Sequence, residues 1–276
     1  MSSEASTPTR RANRRLTAPD IQGRKRSTPL VMLTAYSARM AELVDPYCDV
    51  LLVGDSVAQV IYGFPSTLQA NLDMMIAHGA AVVRGSSKAL VVVDMPFGSY
   101  EESPEQAFRS ASRVMQDTSA GAIKLEGGQA MAPTIEYLTK RGIPVMAHVG
   151  LTPQSVNVLG GYGVRGRGNA EHSRIFEDAD AVAKAGAFSV VIEAVMEPLA
   201  RSITEAIDCP TIGIGASDRC DGQVLVVDDM LGIFERVPRF VKKFDNLADR
   251  IRSAAELYSS QVREGKFPAQ ANLYQA

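Results

Sequence analysis

Ala122-Ile-Lys-Leu-Glu-Gly-Gly128 is the stretch that decides how the chain is read. Ala122, Ile123 and Leu125 have the composition of a short, buried parallel strand, which Lys124 and Glu126 interrupt two residues apart. Side chains on a strand alternate between faces, so the two charges point the same way. Gly127 and Gly128 then end the strand and allow a sharp turn. An ammonium and a carboxylate on one face of a buried strand are unfavourable without a partner. Their place at its C-terminal end marks a candidate active site.

Similar apolar runs lie on both sides of this one. Strands are predicted over 30–34, 49–55, 89–94, 143–149, 189–193, 210–215 and 223–228. Helical patterns fill the intervals at 39–45, 72–84, 103–119, 133–141, 169–185 and 197–207, and an amphipathic helix is predicted over 239–264. Ser103 followed by Pro104 is a helix start, while Gly142 and Gly186 are helix stops. Alternating strand and helix, with strands of near-continuous apolar character, implies a parallel sheet covered by helices. About eight such units in about 250 residues imply a (β/α)8 TIM barrel. A doubly wound open sheet needs fewer strands, and no GxGxxG follows the first one. No internal repeat or linker divides 16–276, which reads as a single barrel domain with C-terminal helices.

Bulk properties narrow the function classes. Lys and Arg number 29 against 31 Asp and Glu, a formal charge of −2, which suggests neither nucleic acid nor an anionic membrane as partner. No apolar run approaches the roughly 20 residues that span a bilayer. Residues 1–15 are rich in Ser, Thr and Arg and lack a signal-peptide core, so they read as a disordered basic tail. Cys48, Cys209 and Cys220 are scattered without CxxC spacing. They read as small buried hydrophobes in a reducing, cytoplasmic setting.

Catalytic groups of such barrels sit at the C-terminal strand ends. Asp55-Ser56 follows the second strand, Asp94 ends the third, Lys124 and Glu126 lie on the fourth, His148 on the fifth and Glu193 on the sixth. Each alone has an ordinary explanation, a helix cap or a paired core residue. Five consecutive strands with ionisable ends converge on one mouth only in a barrel. Asp55, Asp94 and Glu126 are oxygen ligands suited to a hard divalent cation, Mg²⁺ with its waters retained. One histidine and no cysteine do not suit zinc. Lys124 would add positive charge beside a developing oxyanion. Glu193 stands two strands away at the end of an apolar run, the setting of a general base. Together these groups point to metal-assisted proton abstraction next to a carbonyl, then attack of the enolate on an electrophile. The glycine-rich stretch 160–168 is a candidate lid, with Arg165 and Arg167 available to an anionic group. His78 and His172 fall in predicted helices and read as exposed.

At these residues the chain resembles the ketopantoate hydroxymethyltransferase (3-methyl-2-oxobutanoate hydroxymethyltransferase) family. The similarity is carried by Leu33-Thr-Ala-Tyr36, Leu52-Val-Gly-Asp-Ser56, Ser66-Thr-Leu68, Asp94-Met-Pro-Phe97, Lys124-Leu-Glu-Gly-Gly128 and His148-Val-Gly-Leu-Thr-Pro-Gln-Ser155. Further on come Gly160-Gly-Tyr162, Ile212-Gly-Ile-Gly-Ala216, Asp221-Gly-Gln-Val224, Pro238-Arg-Phe-Val-Lys-Lys243 and Gly265-Lys-Phe-Pro268. The resemblance implies a barrel of the phosphoenolpyruvate/pyruvate type. It implies transfer of a hydroxymethyl group from the co-substrate 5,10-methylenetetrahydrofolate to 3-methyl-2-oxobutanoate, giving 2-dehydropantoate for pantothenate synthesis. By motif, Asp55, Asp94 and Glu126 match the Mg²⁺ site, and Asp55, Ser56, Asp94 and Lys124 the oxo-acid contacts. His148 matches a group near the substrate's oxygens, and Glu193 the base that removes the C3 proton. A homo-oligomer is also implied, with a decamer among the family's forms and the C-terminal helix as a candidate interface.

The chain departs from the family pattern in places. Ser37 stands for a usual Asp, and Phe64-Pro65 for a polar or aromatic residue and Asp. Ser217 stands for Gly, and Gly163 and Arg165 for Lys and Gln. None is a candidate metal ligand or the candidate base. The same barrel type also admits a C–C bond lyase or mutase acting on a 2-oxo acid, a Schiff-base aldolase using Lys124, or a non-catalytic oxo-acid-binding protein.

Overall fold

The strands β1 (Leu30–Thr34), β2 (Val50–Val53), β3 (Leu90–Asp94), β4 (Ala122–Glu126), β5 (Val145–Gly150), β6 (Ser189–Glu193), β7 (Thr211–Ile214) and β8 (Gly222–Leu225) pair in parallel and in chain order, and β8 returns to β1 to close a barrel. This is a computed structural model, and it describes residues 14–274. The tail expected over 1–15 lies outside the described residues as far as residue 13. Of its last two residues, Arg15 donates to the carbonyls of Val83, Ser86 and Ala89.

The helices are α1 (Ala18–Gln22), α2 (Ala38–Val44), α3 (Val57–Val60), α4 (Leu72–Gly85), α5 (Pro104–Thr118), α6 (Ala132–Thr139), α7 (Val156–Leu159), α8 (Asn169–Lys184), α9 (Glu197–Ala206), α10 (Val227–Met230) and α11 (Leu247–Arg263). Ser103 caps α5 as its sequence predicts, accepting from the Gln106 N–H at 3.1 Å. Ser37, the residue in place of the family's Asp, still caps α2 by accepting from the Met40 N–H at 3.2 Å.

Inward-facing strand residues fill the barrel. Leu30, Met32, Val50, Leu52, Leu90, Val92, Ala122, Met146, Val191, Ile212 and Val224 form one buried cluster, joined by Ala18 and Ile21 of α1. The interior is therefore a packed core rather than a pore, with α1 packed into it. The alternate residues Leu51, Val53, Val91, Val93, Ile123 and Leu125 are equally buried, as strands covered on both faces require.

Two boundaries differ from the sequence expectation. The eighth strand ends at Leu225, because Val227 and Asp228 turn into α10. The last long helix begins at Leu247, not at residue 239. Lys243 Nζ donates to the carbonyls of Phe234 and Glu235, and the Phe244 N–H donates to Met230 O, so the preceding segment satisfies its polar groups without helix. The span read as one domain divides into two compact units at Leu225/Val226, the barrel and a C-terminal unit carrying α10 and α11. All three cysteines are free and buried. Among the described residues no helix is long and apolar enough to cross a membrane.

Candidate active site at the barrel mouth

The acids are placed by strand parity. Asp94 follows Leu90 and Val92 on the inward side of β3, Lys124 and Glu126 follow Ala122 on β4, His148 follows Met146 on β5, and Glu193 follows Val191 on β6. Each lies toward the C-terminal end of an inward row whose deeper positions are core. Register sets the neighbours: Asp94 lies beside Lys124, Glu126 beside His148, and Gly150 beside Glu193. Asp55 joins from the turn after β2. Gly54 allows that turn, since a Cβ there would lie 2.7 Å from Ser56 Oγ.

Asp55, Asp94, Lys124, Glu126 and His148 are all buried. Lys124 Nζ contacts Asp94 Oδ1 at 2.5 Å, and the Asp55 N–H donates to Asp94 Oδ2 at 3.1 Å. Burial disfavours the Lys124 ammonium, but Asp94, Glu126 and Asp55 outweigh it and raise the pKa. Lys124 is thus a fixed cation rather than a free amine, which disfavours Schiff-base chemistry. Burial, with Asp94 and Glu126 nearby, pushes the Asp55 carboxyl up to about 7. Its Oδ2 accepts from Gln154 Nε2 at 2.9 Å.

His148 lies between two acids. Nδ1 is 3.4 Å from Glu126 Oε1, and Nε2 is 3.3 Å from Glu193 Oε2. Neither contact is a well-formed hydrogen bond, although both nitrogens are buried. Burial and Lys124 push the imidazole down, but Glu126 and Glu193 more than reverse this, leaving it up at about 9. Glu193 is the more open member of the pair, its side chain 19% exposed. The next residue, Ala194, holds φ +47°, a left-handed backbone rare outside glycine. It is held there by its N–H to Ile214 O and by its carbonyl, which accepts from the Arg165 N–H, each at 2.8 Å.

The structure brings every sequence-predicted site residue to this one mouth, Ser56 included. Tyr36 OH lies 2.8 Å from Ser56 Oγ. His78 is half-buried rather than exposed: Nδ1 is 2.6 Å from Tyr36 O and Nε2 3.0 Å from Tyr62 OH. Tyr162, in the glycine-rich loop, is pushed above its ordinary value by burial and by Asp55, Glu126 and Glu193, so it senses the cluster. Arg165 pairs with Glu171 at 2.5 Å instead of waiting for an anion. Ser217, in place of the family's Gly, donates to Glu197 at 3.0 Å.

Three participants carry no sequence-derived role: Tyr36, Tyr100 and Gln154. Tyr36 and Gln154 stand inside family motifs, which was a usable signal. Tyr100 lies between the predicted third strand and the helix that begins at Ser103, outside any quoted motif, and it is buried.

Among the described residues no three His, Cys, Asp or Glu side chains form a ready-made metal cage. Mg²⁺ does not need one, since it usually keeps several waters and takes one or two carboxylates directly. The donor set fits it. Asp55, Asp94 and Glu126 are oxygen donors, and burial together with the charges of the other two raises the Asp55 carboxyl, a cost that a divalent cation relieves.

The strands and their order define the class of the fold, a closed parallel eight-stranded (β/α)8 barrel, and solved structures share it. Phosphoenolpyruvate phosphomutase from Streptomyces platensis subsp. rosaceus superposes with a TM-score of 0.61 at 10% identity, over 94% of this chain and 92% of that one. 2,3-Dimethylmalate lyase, described as a member of the phosphoenolpyruvate mutase/isocitrate lyase superfamily, gives 0.59 at 14%, over 92% and 90%. The sequence model of the ketopantoate hydroxymethyltransferase family matches residues 15–270, and the chain belongs to that family. The 3-methyl-2-oxobutanoate hydroxymethyltransferase of Sphingopyxis alaskensis is 60% identical over 273 residues, covering 99% of this chain and 95% of the relative. That of Novosphingobium aromaticivorans is 61% identical over 278 residues, covering 99% and 96%.

Proposed function

We propose that the chain is an Mg²⁺-dependent 3-methyl-2-oxobutanoate hydroxymethyltransferase. The names of its full-length relatives support the activity. The observation that carries the chemistry is the single constellation of Asp55, Asp94, Lys124 and Glu126, with Glu193 joined to it through His148. Asp55, Asp94 and Glu126 would hold the ion, some of them through water. Bound Mg²⁺ would supply the positive charge that acidifies the carbon next to the oxo group.

The chain's own groups do the rest. Ser56 and Lys124 bind and orient the oxo acid, with Lys124 as a fixed cation beside the developing negative charge. Glu193 removes the C3 proton of 3-methyl-2-oxobutanoate. His148 lies against Glu193 and near the substrate's oxygens, where it steadies the base. The resulting carbanion equivalent at C3 forms a C–C bond to the methylene carbon of 5,10-methylenetetrahydrofolate. Water supplies the hydroxyl oxygen as that carbon leaves nitrogen, giving 2-dehydropantoate, a pantothenate precursor, and tetrahydrofolate. Cytoplasmic residence and a homo-oligomeric assembly belong to the same proposal, the latter checked by light scattering.

Exchange of the C3 proton in D₂O tests the core of this reading without folate. Purified protein with Mg²⁺ exchanges it and excess chelator stops it; no exchange above buffer with Mg²⁺ present ends the proposal.

A further inference from the structure

Behind the acids lies a residue whose hydrogen-bonding groups reach two of them, Asp55 and Glu126, and the chain around them. Gln154, in the turn after β5, is buried. Its Nε2 donates to Asp55 Oδ2 at 2.9 Å and to Met95 O at 3.0 Å, which uses both amide hydrogens. Its backbone N–H donates to Glu126 Oε2 at 3.0 Å. Its Oε1 accepts from Tyr100 OH at 2.6 Å. The Tyr100 oxygen in turn accepts from the Glu126 N–H at 3.2 Å.

These bonds form a directed circuit. Glu126 N–H donates to Tyr100, Tyr100 O–H donates to Gln154, and Gln154 donates to Asp55 and back to Glu126. An isolated glutamine amide can present its oxygen or its nitrogen to a neighbour. Tyr100 reduces that freedom: its hydroxyl also faces Glu126 O at 3.4 Å, but the shorter contact at 2.6 Å is to Oε1, and with the NH₂ on Asp55 and Met95 O it turns Oε1 toward the tyrosine. The circuit joins four strand ends, because Asp55 follows β2, Met95 and Tyr100 follow β3, Glu126 ends β4 and Gln154 follows β5.

We propose that Gln154, oriented by Tyr100, is a positioning residue that holds the Asp55 and Glu126 carboxylates at the separation and rotation a divalent ion requires. The inference rests on the Mg²⁺ reading given above. One oxygen of each carboxylate is tied to Gln154, Asp55 by the side-chain amide and Glu126 by the backbone N–H, while the other Glu126 oxygen lies 3.4 Å from His148 Nδ1. Outer partners of this kind typically alter metal affinity by about 10–100-fold.

The test is calorimetric titration of metal-free protein with MgCl₂, for wild type, Gln154→Leu, Tyr100→Phe and the double variant. Wild type binds Mg²⁺ and Gln154→Leu binds it at least about tenfold more weakly. Tyr100→Phe, which touches no carboxylate side chain, weakens binding by a smaller factor. The double variant is no weaker than Gln154→Leu, because Tyr100 acts through the amide. In the exchange assay at saturating Mg²⁺, Gln154→Leu recovers most of its kcat, whereas a packing defect is not repaired by metal.

Wild type that binds no Mg²⁺ overturns the metal reading and this proposal with it. Wild type that binds, with Gln154→Leu binding equally well, overturns this proposal alone. Additive losses in the double variant also overturn the circuit. If Gln154→Leu does not fold, an unchanged affinity in Tyr100→Phe overturns the proposal by itself.

Discussion

The two ends of the barrel both bury carboxylates and treat them in opposite ways. At the N-terminal end, Asp45 accepts from the N–H groups of Ser87, Lys88 and Ala89 just before β3. Asp221, just before β8, accepts from Lys25 Nζ and from the N–H groups of Arg26 and Thr211. Burial works against the charge at both sites, but these donors outweigh it and both carboxyls fall below their ordinary values. At the C-terminal end, Asp55 faces Asp94 and Glu126, and burial with like charge sends it up to about 7. One end spends its carboxylates on closing the fold. The other keeps acids facing one another, with both His148 nitrogens buried between acids without a well-formed bond, the condition expected of a site that awaits a cation and a substrate.

The comparison breaks most visibly under mutation of the base. Glu193→Gln lowers C3 proton exchange by about 10³-fold or more while oxo-acid binding survives. Isotope exchange by NMR and ligand titration on one sample check both halves, and a non-catalytic binding protein would have no exchange to lose. At the opposite end, Asp45→Ala strands three backbone donors and costs about 3 kcal/mol. That lowers Tm by about 10 °C in a barrel of this size, with exchange per folded molecule unchanged. An equal loss of exchange would show that the two ends are not separable.

Asp55→Asn sharpens the contrast, since it removes a buried charge from among like charges. At pH 8 it raises the Tm of the metal-free protein by about 2–4 °C, yet it abolishes chelator-sensitive exchange. A fall in Tm would show that Asp55 is paid for as Asp45 is, by donors rather than by function.

The pH profile of the metal-free protein contrasts the same two ends. Folded Asp55 keeps its proton up to about pH 7, whereas the unfolded chain releases it near pH 4. The folded state therefore binds the extra proton between those values, and stability falls as pH rises through them. His148, up at about 9, continues the fall from about pH 6.5, where an unfolded histidine titrates. Asp45 and Asp221 act in reverse: their stabilisation is present above about pH 4 and is lost below it. Calorimetric scans should show the highest Tm near pH 5, and Asp55→Asn should flatten the slope between about pH 5 and 7.

Much of the site was legible because strand parity is local. A period of two puts Lys124 and Glu126 on one face, and the apolar runs before Asp94, His148 and Glu193 mark them as the outer ends of inward rows. His78 was misread because a helix pattern does not show what the neighbouring turn contributes. In the structure Tyr36 and Tyr62 reach it from two other segments. Tyr100 was invisible for the same reason, since its partners Glu126 and Gln154 lie 26 and 54 residues further along the chain.

The sequence by itself determined the alternation of strand and helix, the inward rows, the acids that end them and the family to which they belong, because each rests on short-range periodicity or on contiguous motifs. Only the tertiary structure decided how those acids are held. The Tyr100–Gln154 circuit, the placement of His148 between Glu126 and Glu193, and the late start of α11 each depend on which donors and acceptors meet across distant segments. A hydrogen bond is set by a few tenths of an ångström and an angle, and no periodicity along the chain encodes that.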